Sequence, residues 1–285
     1  MNARPLPPPP ATRKPASPAP SNAGPGSTIV AIDQFVVTTG MQYGAERVLL
    51  YGPGGVGKST LASLLPGKTL FLDLERSTRK LSVQRIDTLR SFAELRAVLQ
   101  SPIVDGYDTI VIDSATKAEE LATEWVVESV PHEKGGRVQS IEGYGWGKGW
   151  GHVYDAFLQL ISDCDRLVEK GKNVVLVCHD CISDVPNPIG EDFIRYEPRL
   201  QGGKGGKNSI RARAFEWADH VLFVGYDVIA KDGKGKGGGT RTIWTSERPD
   251  HKAKSRNVKV DVPFEGETDG AIWDLVFSKT TEVIQ

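Results

Sequence analysis

Short runs of Val, Ile and Leu without polar alternation recur at Arg47 to Tyr51, Thr69 to Asp73, Thr109 to Asp113 and Asn173 to Cys178. An unbroken apolar run of that length predicts a strand buried on both faces, as in a parallel sheet covered by helices. Between these runs the apolar positions change to helical spacing. Ser91 and Glu94 form a capping box for a helix that carries Phe92, Leu95 and Leu99 on one face and ends at Ser101-Pro102. A second helix is predicted over Ala115 to Ser129. A third places Val153, Phe157, Leu160, Ile161, Cys164, Leu167 and Val168 on one side before Gly171 stops it. Later come a short helix at Ile210 to Trp217, a strand near His220 to Gly225, a Gly/Lys turn at Lys231 to Gly239 and a strand at Thr240 to Thr245, which together read as a hairpin. The alternation predicts an α/β fold with a mainly parallel central sheet flanked by helices. Two connections, Pro131 to Gly151 and Asp180 to Ser209, are long, glycine-rich and carry lysines; connections of that length are functional or disordered. No internal repeat is present.

The first apolar run leads directly into Gly52-Pro53-Gly54-Gly55-Val56-Gly57-Lys58-Ser59, followed by a helix-forming segment from Thr60 to Leu65. This fits the phosphate-loop pattern at every required position. Glycines let successive N–H groups turn inward onto phosphate oxygens, and the helix that follows adds the positive end of its dipole. Lys58 is then expected to reach the β and γ phosphates of ATP, and the Ser59 hydroxyl to ligate Mg2+. Asp113, closing an apolar strand, is the expected second acid for the magnesium shell; its alternative role, capping the next helix, can fall to Ser114. Glu75, just past the strand that ends at Asp73, and His179, at the tip of the strand ending at Cys178, lie where α/β sheets bind ligands and are the candidates for water activation and γ-phosphate sensing. On spacing alone Glu75 can equally pair with Arg76 on the surface, and His179 can be a hydrogen-bonded structural residue. Cys178-His179-Asp180-Cys181 has no second ligand pair with zinc spacing, which argues against a metal there.

Composition changes the picture at the two ends. Of 18 prolines in 285 residues, nine fall between Pro5 and Pro25, so residues 1–27 read as a disordered tail. Pro7 to Pro10 rule out the amphipathic helix of a mitochondrial presequence, and no run is long and apolar enough for a membrane span. Three cysteines make no disulfide framework, so a cytoplasmic setting is expected. The net charge of -1 conceals nine Lys or Arg against three acids from Lys231 to Lys259, and one against six from Val260 to Gln285. The basic stretch can meet a polyanion locally or be a solvated loop. Trp273, Val276 and Phe277 point to packing of the acidic segment 265–285 on the core.

The order of these elements resembles the RecA recombinase core, and more closely the phage-type ATP-binding proteins of that superfamily that act in single-strand DNA annealing or recombination. The likeness covers most of Arg47 to Phe264. It rests on the phosphate loop, Leu72-Asp73-Leu74-Glu75, Ile110-Val111-Ile112-Asp113-Ser114, Gly143-Tyr144-Gly145-Trp146-Gly147, Asn173 to His179 and Lys254-Ser255-Arg256. It implies a RecA-like P-loop NTPase core over residues 28–264, with the host cytoplasm as its setting if phage-encoded. Glu75 takes the place of the water-activating glutamate, and His179 that of a polar residue linking the γ-phosphate to a DNA-binding loop, although RecA carries an amide there. Lys254 and Arg256 resemble paired cations that reach a neighbouring subunit's ATP, which implies a homo-oligomer, filament or ring. The two long connections occupy the places of DNA-contacting loops, so Tyr144, Trp146 and Trp150 are expected to stack on bases and Lys148, Lys204 and Lys207 to meet phosphates. Trp146 and Trp150 have an alternative, packing inward to hold the glycine-rich loop on the domain. Single-strand-binding and other recombination proteins follow as partners. The apolar segment Ile29 to Val36 can pair with a neighbour's sheet or with its own.

Two other readings compete. A small-molecule P-loop kinase needs an arginine-rich lid, which the Lys/Gly loops lack, and a nucleotide-dependent assembly factor would bind ATP and barely hydrolyse it. A GTPase is disfavoured because no Asn-Lys-any-Asp segment occurs.

Overall fold

Val48, Leu49, Leu50 and Tyr51 are fully buried in β1 (Arg47–Gly52), at the centre of the sheet. The computed structural model describes residues 39, 43–203, 207–231 and 234–278, and the described residues from Tyr43 onward belong to one compact unit. Around β1 stand β5 (Asn173–Val185), β4 (Thr109–Asp113), β2 (Thr69–Asp73) and β3 (Gln84–Ile86) on one side, and β7 (His220–Lys231), β8 (Lys234–Trp244) and β10 (Val262–Pro263) on the other. The order is β10-β8-β7-β1-β5-β4-β2-β3. All pairings from β7 to β3 are parallel; β8 and β10 are antiparallel additions, as are β6 (Phe193–Pro198) on β5 and β9 (Lys254–Ser255) on β7.

Alternate strand residues enter two cores, as the period of a strand requires. Leu49, Leu72, Ile112 and Leu176 face α2 (Phe92–Gln100), α3 (Ala115–Ser129), α4 (Lys148–Glu169) and α5 (Ile210–Trp217). Val48, Leu50, Phe71, Val111 and Val175 face α1 (Lys58–Ser63) and α6 (Ala271–Val276). The helix starts follow local chemistry: the Ser91/Glu94 capping box forms, and the Ser114 hydroxyl accepts from Lys117 N. Because α1 has only six residues, the second face is completed by the C-terminal segment. Trp273 is buried there, its indole N–H donating to Leu61 O at 2.8 Å.

Three expectations change. Asp180 to Ser209 is not an irregular connection: β5 continues to Val185 and pairs with β6 in a hairpin, from Asp180↔Pro198 to Val185↔Phe193. Most of this hairpin stands in solvent, with Ile182 and Ile194 exposed, so it lacks the buried alternation that marks a strand. Likewise the Gly/Lys stretch after Lys231 is largely strand, since β8 begins at Lys234. Pro131 to Gly151 contains a 3-10 turn at Ile141–Tyr144 and the first turn of α4. The Pro-rich tail, Ile29 to Val36 and Lys204 lie outside the described residues. Among the described residues no helix is long and apolar enough to cross a membrane.

Candidate functional site

At the carboxyl end of β1 the chain must leave the sheet beside β7. A Cβ on Gly52 would lie 2.0 Å from Val224 O, so only glycine fits where the loop begins. At its other end Gly57 has φ 104°, and a Cβ there would meet the Phe264 ring and the Arg241 guanidinium at 2.8 Å. Between them Pro53, Gly54, Gly55 and Val56 curl over the start of α1, whose N-cap Gly57 supplies no side-chain acceptor. The first-turn N–H groups of Lys58, Ser59 and Thr60 are thus left for an external acceptor, which suits a phosphate. Lys58 is buried and its ammonium donates to Gly52 O at 2.7 Å and Pro53 O at 2.8 Å. Burial pulls its pKa down, against the attraction of Asp180 and Asp113.

The catalytic candidates converge on this loop from the neighbouring strand ends. Ser59 Oγ donates to Asp113 Oδ2 at 2.6 Å, and Ser77 Oγ donates to the same oxygen at 2.9 Å. Burial pushes the Asp113 carboxyl up, against those two hydrogen bonds, with Glu75 and Asp73 adding to the rise. Asp113 and Ser59 are hard oxygen donors, a set that fits a magnesium ion drawing its other ligands from phosphate and water. The Asp113–Ser114 peptide is cis. Glu75 accepts from Ser114 Oγ and lies 3.0 Å from His179 Nε2. His179 itself sits level with Gly52 in the β1/β5 register. Lys58, Ser59, Glu75, Asp113 and His179 therefore line one cleft of about 260 Å³.

Several contributors escaped the sequence reading. Asp73, fully buried, accepts from Ser77 N, Thr78 N and Thr78 Oγ1 at 3.0, 3.0 and 2.6 Å, which turns the chain and delivers both Glu75 and Ser77. Arg241 donates to Val56 O at 2.9 Å while lying 4.2 Å over the Phe264 ring, and Tyr226 OH donates to Gly55 O at 3.3 Å. These braces come from β7, β8 and the segment after them, where nothing local in the sequence marks them.

The other predicted residues are elsewhere. Lys254 and Arg256 lie on or beside β9, at the end of the sheet where β1 and β7 begin; through β7, Lys254 stands level with Leu49 and Ser255 with Val48, about 10 and 13 Å along the strand from Gly52. Lys254 Nζ rests 4.8 Å from the Phe215 ring, and Arg256 Nε pairs with Asp219 Oδ1 at 2.8 Å. Trp146 is fully exposed between Gly145 and Gly147, all three with positive φ. Lys148 pairs with Glu133 at 2.7 Å, and Lys207 is exposed. Trp150 is half-buried against the helix-covered core. Tyr144 departs from the base-stacking expectation: it is buried, its hydroxyl donating to Val126 O and Val130 O at 2.9 and 2.6 Å, and so offers no free face to a base. Among the described residues no cluster of three or more His, Cys, Asp or Glu is placed to hold a metal.

A mainly parallel sheet flanked by helices, with a phosphate loop after its central strand and acids on the adjacent strand ends, defines a RecA-like P-loop NTPase that binds nucleotide. The chain belongs to the AAA domain family AAA_24, whose model matches residues 45–257. Among solved structures it is similar to a KaiC-like protein from Pyrococcus horikoshii, with 17% identity and a TM-score of 0.43 over 79% of this chain and 88% of that one. It is also similar to the flagellar accessory protein FlaH from Methanocaldococcus jannaschii, with 9% identity and a TM-score of 0.34 over 70% and 77%. No curated protein matches it.

Proposed function

We propose that this protein hydrolyses ATP with Mg2+ and acts on single-stranded DNA in annealing or recombination, assembling on the DNA as a homo-oligomer. The observation that carries hydrolysis is the Glu75–His179 pair facing the same cleft as Lys58 and Ser59. Glu75 accepts the proton of the attacking water, and His179 holds that carboxylate and senses the γ-phosphate. Lys58 exchanges its two carbonyl partners for phosphate oxygens. Magnesium, held by Ser59 and Asp113, would offset phosphate charge as it develops.

The DNA half of the reading draws support from Trp146, an indole held in solvent by a backbone that leaves it nothing to pack on, with Lys148 beside it and Lys207 on the second loop. Lys254 and Arg256 are out of reach of their own cleft, which supports a role in trans at a neighbour's ATP. The test is ATP hydrolysis with and without single-stranded DNA, at low and moderate salt, for wild type, Lys58→Ala and Trp146→Ala/Lys148→Ala, with size exclusion alongside. Stimulation by DNA that both variants lose, with salt-sensitive binding and growth in size, is expected. Hydrolysis that needs Lys58 but ignores DNA, with no DNA binding at low salt, would remove the recombination role and point to a small-molecule acceptor.

A further inference from the structure

Behind Glu75 lies a second cleft, of about 300 Å³, which shares only that residue with the nucleotide cleft. Leu89 and Leu121, both buried, help form its floor, and Arg76, Arg90 and Lys117 bring positive charge. The carboxylate of Glu75 is committed to Ser114 and His179, on the nucleotide side. Lys117 is neutralised by Glu120 at 2.8 Å. Two guanidiniums remain. Arg76, held with φ 57°, makes no side-chain hydrogen bond or ion pair among the described residues, whereas its successor Ser77 lines the other cleft. Arg90 donates Nη1 to Asp87 O and Leu89 O, uncharged acceptors that fix its fork and leave the Nε–Nη2 edge without an ion pair among the described residues, while its backbone N donates to Glu94 Oε2 at 2.7 Å. Against these the cleft has one further acid, Glu124.

We propose that this second cleft binds a phosphate dianion through Arg76 and Arg90. Two guanidinium forks on an apolar floor suit a tetrahedral oxyanion better than a diffuse anion, because each can present parallel N–H groups. The site stands one side chain away from where the γ-phosphate is cleaved in the reading above, on which its biological meaning rests. Its ligand is then the free phosphate leaving the reaction or the phosphate group of a second molecule.

The experiment is calorimetric titration of inorganic phosphate and of phenyl phosphate into the full chain carrying Lys58→Ala, so that the phosphate loop does not dominate, and into the same chain with Arg76→Ala/Arg90→Ala added. The Lys58→Ala chain is expected to bind phosphate, and the added pair to weaken it by about tenfold or more. Both arginines are exposed, and unchanged thermal midpoints confirm that the fold is kept. Tighter phenyl phosphate identifies a phosphorylated second molecule as ligand; equal or tighter inorganic phosphate identifies the free product. No phosphate binding by the Lys58→Ala chain, or binding indifferent to the added pair, overturns the proposal. Neither result depends on turnover, which Glu75→Gln tests separately.

Discussion

In the proposed reaction Glu75 and Lys58 divide the work of the cleft, and their substitutions are expected to fail in different ways. Lys58→Ala removes a buried cation from the phosphate cradle, so nucleotide binding weakens by roughly 100-fold, about 3 kcal/mol, in a titration with a fluorescent ATP analogue. Glu75→Gln keeps the shape and the contact to Ser114 but cannot take a proton. Hydrolysis should fall by about 10²–10⁴-fold while the nucleotide dissociation constant stays within about twofold. A third residue, Glu119 on α3, shows what burial does outside the cleft. Its carboxylate accepts from Gln201 N at 2.9 and 3.1 Å, and burial pushes its pKa up to about 7, well above the usual carboxylate range, against that hydrogen bond and Arg211. In the folded chain it therefore keeps its proton to higher pH than in the unfolded chain. Its contribution is fully present below about pH 4.5 and is lost as pH rises through about 7. Chemical denaturation across that window should show wild type losing stability with pH, and Glu119→Gln losing less of it.

At the scale of elements, the phosphate loop is held from behind. Tyr51, the last side chain before it, is buried and donates its hydroxyl to Tyr196 O at 3.1 Å and Lys252 O at 2.6 Å, while accepting from Lys252 N at 3.1 Å. The same burial raises its pKa far above the usual range of a phenol. Tyr51→Phe strands those backbone groups and is expected to cost about 1–3 kcal/mol in a urea melt, loosening the β6 hairpin. On the opposite face Trp273 links α6 to α1. Trp273→Ala should cost about 3–5 kcal/mol and weaken nucleotide binding as well, since α1 carries Lys58 and Ser59.

For the whole molecule, the separation of Lys254 and Arg256 from the chain's own phosphate loop makes the proposed assembly testable without a structure of it. Glu75→Gln and Arg256→Ala chains are each expected to hydrolyse poorly. Mixed, they should recover part of the activity, because an Arg256→Ala subunit keeps its Glu75 and can receive Arg256 from a Glu75→Gln neighbour. Additive activities with no recovery would show that Arg256 does not act across an interface. In that case its pairing with Asp219 is its role.

The apolar strands, the capping box at Ser91 and the complete phosphate loop were legible in the sequence because each is a local matter of periodicity or spacing. Asp113 and Glu75 could be nominated for the same reason, as side chains at the ends of buried strands. What joined them was tertiary. Glu75 meets His179 across 104 positions, and Arg241 meets Val56 across 185, distances over which no local pattern carries information. The β5–β6 hairpin escaped because its faces meet solvent rather than a core. Tyr144 looked available because a glycine-rich stretch reads as loop, and only the fold turned its hydroxyl onto the end of α3. Local chemistry determined which parts exist; long-range packing decided which of them line the same cleft.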